Sequence, residues 1–469
     1  MTKHCAGQGG FPLPSGRIRK TARPFSIRLS EGSMRKARIG LVCLARKTFD
    51  YQTAYEMYLH QTEQICTDTT VDWCVYVPQV IEPEDAEKAS VYFSGKCVDA
   101  VILVSATFHL GQLALIIQNR IAKPLLLWGF SELPYDGGKI RLNAACGVNL
   151  DASNLYKAGV DSYCISIGDE LDRDWVTAVK MQVAMQEAKI GIIGYRAQGF
   201  YNVGVDEMKL YSQLGVLIEH YELSDLFGQK TRRSDFNREK EALLSTFNTS
   251  KLTDKQIGLV ANLICSAESF MKTNSIDALA IRCWPEFARD YGVSPCAMMS
   301  VLQSRGLILA CEGDIEAALS MIAVRAAGEP TPFMADLSQV NYKENYALLW
   351  HDGVAPCNLW DGECDRSLET YFAGGKGVTA DFVLKKGPMS ILRIDTARGK
   401  TRIYYEEGEA VPMQKLLSGT YAKVLFSRHI REIVETVAYS GLAHHVVMGY
   451  VQYKDAVSKL SRIMGWELL

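Results

Sequence analysis

The feature that most constrains this chain is a series of short, unbroken apolar runs separated by amphipathic stretches. Residues 39–44, 71–76, 100–104 and 124–128 are apolar at nearly every position, and helical patterns occupy residues 51–67 and 110–120 between them. A strand that is apolar on both faces needs cover on both faces. Parallel sheets wrapped by crossover helices supply it, so the pattern predicts an α/β fold. A second series follows a helix at 175–187: strands at 189–194, 215–220 and 278–281, with helices at 254–272 and 315–327. After Pro330 the texture changes to short or alternating strands (346–350, 391–396, 402–406), Gly-rich turns such as Gly374-Gly375-Lys376-Gly377, and helices at 428–439 and 453–465. The expected architecture is two tandem doubly wound α/β domains followed by a C-terminal antiparallel β-barrel-like domain with terminal helices. The expected divisions are 1–36, a basic disordered extension; 37–170, the first α/β domain; 171–330, the second; and 331–469, the β-rich domain.

Charge and composition remove several classes of function. The 469 residues carry 51 Lys+Arg against 53 Asp+Glu, a balance with no global attraction to nucleic acid or to a membrane. Apolar runs fall far short of the roughly 20 residues that cross a bilayer. Residues 1–38 hold +8 and the remainder −10, so the leader differs from the rest of the chain. It has no apolar core of the kind a secretory signal needs. An organellar transit segment, a basic tail or sequence upstream of a start at Met34 would each account for it; the reading adopted is a functionally silent extension. Thirteen cysteines are scattered with no C-x-x-C pair, which suits free thiols in a reducing cytoplasm. Cys357 and Cys364 flank a six-residue loop and read as two loop thiols rather than a bridge or a metal site.

Nucleotide signatures are absent. Gly191-Ile192-Ile193-Gly194 lacks the third glycine of a dinucleotide fingerprint, and no G-x-x-x-x-G-K-[ST] occurs, so no nucleotide cofactor is expected. Chemistry concentrates elsewhere. Cys311-Glu312-Gly313-Asp314 lies between a strand and a helix, at the carboxyl end where open α/β sheets bind ligands, although capping of the following helix accounts for such acids equally well. Phe333-Met334-Ala335-Asp336-Leu337 puts an acid among apolar neighbours, where a turn residue is the plainer reading. Trp350-His351-Asp352-Gly353 ends a strand with an imidazole. Ala443-His444-His445-Val446-Val447 opens one with adjacent histidines, of which strand alternation lets only one face a given site. Together these residues offer oxygen and nitrogen donors without thiolate, a set suited to Mn²⁺, Co²⁺ or Mg²⁺ rather than structural zinc.

The same motifs, in this order and spacing, resemble the L-fucose isomerase/L-arabinose isomerase superfamily from Arg38 to Leu469. Ile281-Arg282-Cys283-Trp284-Pro285-Glu286 and residues 378–384 add to the likeness. The resemblance implies metal ligands at Glu312, Asp336 and His445, with Glu312 and Asp336 also moving the proton. It implies substrate contacts from His351, Glu286 and Arg282, with His351 alternatively completing the metal shell and a structural salt bridge as the plainer reading of Glu286. Ala335 stands where arabinose isomerases have a ligating glutamate, whereas His351 matches their histidine, so the chain mixes the two patterns. The expected activity is metal-dependent aldose–ketose interconversion through a cis-enediol, with Mn²⁺ first, in a homo-oligomer built on a trimer or hexamer. Two alternatives stand beside it. One is isomerisation of an anionic hexose, sulfonated (as in sulfoquinovose) or phosphorylated, with Arg282, Arg196 and Lys376 available for the charge; the other is a non-catalytic sugar-binding protein.

Overall fold

Five runs with apolar side chains on alternate faces pair into the first sheet: β1 (Arg38–Leu44), β2 (Asp72–Val80), β3 (Ala100–Ser105), β4 (Leu125–Gly129) and β5 (Tyr163–Ile167). They are seen in a computed structural model that describes residues 35–469. The order is β2-β1-β3-β4-β5, all parallel. Ile39, Leu41 and Cys43 enter one buried cluster while Val42 and Leu44 enter another, so the sheet is covered on both faces as the unbroken apolar runs require. Two departures from the sequence reading fall on the sheet edges. β2 continues past Pro78 to Val80, which an edge strand tolerates because one side needs no donor. β5 exposes Ile165 and Ile167 on the opposite edge and carries too little apolar signal to announce itself.

The second sheet holds β6 (Lys189–Ile193), β7 (Leu217–Tyr221), β8 (Ala278–Ile281) and β9 (Ile308–Cys311) in the order β7-β6-β8-β9, again parallel. The helix Ile315–Ala326 leaves β9 with every residue from Ile315 to Val324 buried. It packs on β8 and β9 and on strands of the last sheet, so it joins the α/β and β-rich parts through one apolar core.

The remaining strands are β10 (Phe333–Asn341), β11 (Tyr346–His351), β12 (Ser367–Phe372), β13 (Gly377–Val383), β14 (Gly387–Ala397), β15 (Lys400–Val411), β16 (Thr420–Phe426), β17 (His445–Gly449) and β18 (Glu467–Leu468). Six of them close into an antiparallel barrel, β16-β11-β10-β17-β14-β15 and back to β16. Closure leaves none of those six as a free edge. The expected helices are Ile430–Ser440, between β16 and β17, and Lys454–Met464, after β17.

No described helix is long and apolar enough to cross a membrane. The basic extension assigned to residues 1–36 lies outside the described residues except for its last two. Of these, Arg35 is not idle: it pairs with Asp99 at 2.6 Å and Glu187 at 3.0 Å. The described cysteines are free, Cys357 and Cys364 among them.

Candidate active site

Glu312 owes its position to a strained turn. β9 ends at Cys311, and both Glu312 (φ +63°) and Gly313 (φ +74°) take left-handed backbone, rare for a glutamate. Gly313 must be glycine, since a Cβ there would meet the Tyr195 carbonyl oxygen at 2.3 Å and the Arg196 Cα at 2.6 Å. Asp314 then caps the helix, accepting the Ala317 N–H at 2.8 Å. The turn therefore turns the Glu312 carboxylate away from the helix cap and leaves Asp314 inside it.

The barrel supplies the other side. Asp336 on β10 sits directly opposite His445 on β17, and on its other flank Asp336 pairs with Trp350, the neighbour of His351 on β11. Three adjacent strands thus bring an acid and two imidazoles to one rim. His445 Nε2 lies 2.9 Å from Glu312 and 3.6 Å from Asp336. Potential donor atoms of Glu312, His351 and His445 all fall within 4.8 Å of one another, as do those of Asp336, His444 and His445.

A buried charge network fixes His445. Its Nδ1 donates to Asp314 at 2.8 Å, and Asp314 is held in turn by Arg393 at 2.6 Å, with Arg393 fully buried. Burial alone would strip the His445 proton, but the hydrogen bonds to Asp314 and Glu312 outweigh it and push the imidazole up to about 9. Burial would raise Asp314, yet the Arg393 charge and the His445 hydrogen bond hold it well below the carboxylate range. The same contest at Glu312 ends with its carboxyl lowered, through the His445 hydrogen bond and the charges of His351, His445 and His444.

Two polar atoms in the cluster are buried without hydrogen-bond partners, Asp336 Oδ1 and His351 Nε2. Such orphans are costly unless something outside the chain satisfies them. Asp336 Oδ1, Glu312 and the Nε2 of His445 form a mixed O/N set that fits a divalent cation once the histidine proton leaves. His351 differs. The Asp352 N–H donates to its Nδ1 at 2.8 Å, so in the neutral ring the proton sits on Nε2, which remains a buried donor without a partner.

The other expected residues fall nearby. Arg282 and Glu286 follow β8, one strand from Glu312, and pair with each other at 3.0 Å, as the structural alternative anticipates. Each still carries an unpartnered buried atom, Arg282 Nε and Glu286 Oε2. Lys376 accepts the Ser294 N–H on its carbonyl and makes no ion pair among the described residues. Strand alternation misleads at His444. It precedes β17 rather than lying in it, so its ring also turns to the cluster, 4.0 Å from Glu312 and 4.0 Å between ring centres from His445. Asn202 and Phe200 brace it, at 3.2 Å and 5.4 Å. Sequence reasoning also passes over Asp314 as a partner of His445 and over Arg393. The available signal for Arg393 is one charge inside the apolar run Ile391-Leu392-Arg393-Ile394, a place where only a buried counter-ion makes sense.

No family model matches the chain. It is similar to proteins named sulfoquinovose isomerase. One from Priestia aryabhattai is 24% identical over 452 residues, 92% of this chain and 99% of that one. One from Alkalicoccus urumqiensis is 24% identical over 435 residues, 90% and 96% of the two chains. Another from Clostridium sp. (strain MSTE9) is 25% identical over 394 residues, 81% and 88%. Among solved structures, a periplasmic ABC-transporter solute-binding protein from Actinobacillus succinogenes with bound D-allose covers 61% of this chain and 92% of its own at 13% identity. Its TM-score of 0.18 is too low to carry an argument. Similarity running almost end to end in both partners makes this chain a sugar isomerase, an enzyme of the aldose–ketose class. The non-catalytic sugar-binding alternative is set aside.

Proposed function

We propose that this enzyme interconverts an anionic hexose aldose and its ketose through a cis-enediol, with a C6-sulfonated hexose such as sulfoquinovose as substrate. The names of the full-length relatives favour this reading over a neutral L-fucose- or L-arabinose-like sugar. The observation that supports it is that Glu312 and Asp336, far apart in the chain from His445, approach its Nε2 at 2.9 Å and 3.6 Å, with one Asp336 oxygen left unsatisfied.

A divalent ion, Mn²⁺ first, would be held by Glu312, Asp336 and His445 and would supply Lewis acidity toward the oxygens on the two reacting carbons. The residues do the rest. One carboxylate takes the proton from the carbon beside the carbonyl and the pair returns it to the neighbouring carbon, general acid–base work worth about 10²–10⁴-fold. Glu312, kept ionised by its histidine neighbours, suits the basic role. His351 Nε2–H donates to a sugar oxygen as negative charge develops there. Asp314 and Arg393 hold the His445 ring in place, so its Nε2 stays aimed at the site.

The test is ketose formation. EDTA-treated enzyme should be inactive and should regain sulfoquinovose turnover with Mn²⁺, Co²⁺ or Mg²⁺. Activity that survives complete metal removal overturns the metal role. No ketose from sulfoquinovose, alongside turnover of L-fucose or L-arabinose under the same conditions, overturns the substrate.

A further inference from the structure

Open parallel sheets bind ligands outside the carboxyl ends of their strands, at the point where successive connections run in opposite directions. In the second sheet that point lies between β6 and β8. Two arginines stand there. Arg282 directly follows β8, and its backbone N–H reaches Ile193 at the end of β6, 3.0 Å away. Arg196 comes shortly after β6. Glu312, at the end of β9, bounds the crevice one strand further along.

The two arginines differ in what holds them. Arg282 is paired with Glu286 at 3.0 Å. Arg196 has no carboxylate at ion-pair distance among the described residues. Its guanidinium lies against the rings of Tyr195 and Tyr201, 4.7 Å and 5.5 Å from their centres, and donates to the Tyr195 hydroxyl. A guanidinium held by ring faces keeps its charge available to an external anion. The segment carrying it is built onto the catalytic turn. Ala197 N–H donates to the Glu312 carbonyl at 2.9 Å, and Arg196 Cα, with the Tyr195 carbonyl, crowds out a Cβ on Gly313.

We infer that Arg196, with Arg282 beside it, receives the sulfonate at the far end of the sugar and is the residue that selects a charged hexose over a neutral one. This deepens the anionic-hexose reading above and rests on it. Spacing and charge both support the assignment. With strands about 4.8 Å apart, the centre of the β6/β8 crevice lies about 7 Å from β9. An extended hexose spans a comparable length from its second carbon to a substituent on its sixth. Arg196, Arg282 and Glu286 sum to a single positive charge, which matches a sulfonate monoanion better than a phosphate carrying about −1.5 to −2 at neutral pH.

The experiment compares kcat/KM of the Mn²⁺-loaded enzyme for sulfoquinovose, 6-deoxy-D-glucose and glucose 6-phosphate. In Arg196→Met the ratio for sulfoquinovose over 6-deoxy-D-glucose should fall about 100-fold, mostly through KM. Arg196→Lys, which keeps the charge but loses the flat fork, should restore part of it. A ratio unchanged in Arg196→Met overturns the Arg196 assignment while leaving the anionic substrate standing. A wild-type enzyme with no preference for sulfoquinovose over 6-deoxy-D-glucose overturns both. Preference of the wild type for glucose 6-phosphate overturns the charge match to a sulfonate.

Discussion

Beyond the carboxyl end of a strand in each parallel sheet an aspartate is buried against a histidine, yet the surroundings push the two pairs in opposite directions. In the first, His109 Nε2 lies 3.2 Å from Asp151 and also from Ser105, the last residue of β3, with all three fully buried. Burial drives His109 down to about 4 and Asp151 well up, so it pushes each toward its neutral form. In the second, His445 and Asp314 are equally buried and 2.8 Å apart, but Arg393 joins the aspartate and Glu312 joins the other ring nitrogen. There the imidazole holds its proton to about 9. A histidine beside an aspartate therefore says little about function. The buried arginine decides whether the pair is inert filling or a charged frame that keeps a ring aimed at a site.

That contrast can be broken in several ways. The largest effect is expected from Glu312→Gln, which removes the carboxylate the second pair has and the first lacks. Its kcat should fall by about 10³-fold or more with the melting temperature little changed. Turnover close to wild type would remove Glu312 from the chemistry. Next, Arg393→Met leaves Asp314 and Glu316 buried without their counter-charge and should cost about 3–5 kcal/mol in urea unfolding. A loss no greater than that of Asp151→Asn would mean that the arginine does not set the two pairs apart.

The pH dependence should separate the pairs by sign. His445 has a folded value raised above its ordinary 6.5, so its contribution to metal-free stability is full below about 6.5 and disappears as pH rises through about 9. His109 is depressed and binds its proton more readily when unfolded. Stability is therefore lost as pH falls from about 6.5 toward 4. Each shift corresponds to something on the order of 3 kcal/mol. Denaturation curves of EDTA-treated wild type, His109→Gln and His445→Gln between pH 4 and 9 check both slopes, and Mn²⁺ should flatten only the alkaline one. The smallest effect is expected from Asp151→Asn, which copies an acid that burial pushes toward its neutral form. About 1 kcal/mol or less should be lost, with sugar turnover unaltered.

How much of this was readable beforehand depends on where the cause lies. β1, β3 and β4 are legible because every residue except Arg38 is buried, and a strand with two buried faces must be apolar throughout. β5 is not, since an edge strand has no such duty. Glu312, Asp336 and His445 stand out through motifs set in the right order along the chain, and Asp314 stands out only as a helix cap. That it also grips His445, 131 residues away, is a property of barrel closure. His444 escapes notice because alternation holds within a strand, and this residue lies one position outside it.

The amino-acid sequence by itself determined the layers: which runs are buried on two faces, where helices cross between them, and where the pattern shifts to a barrel. These follow from local periodicity and from the cost of leaving apolar surface in water. Tertiary structure alone decided which polar groups meet. The Arg393–Asp314–His445–Glu312 chain crosses from barrel to sheet, and Arg196 comes to rest on the turn that carries Glu312. Such contacts depend on strand register and on the distance between elements far apart in the chain, and no local pattern of residues records either.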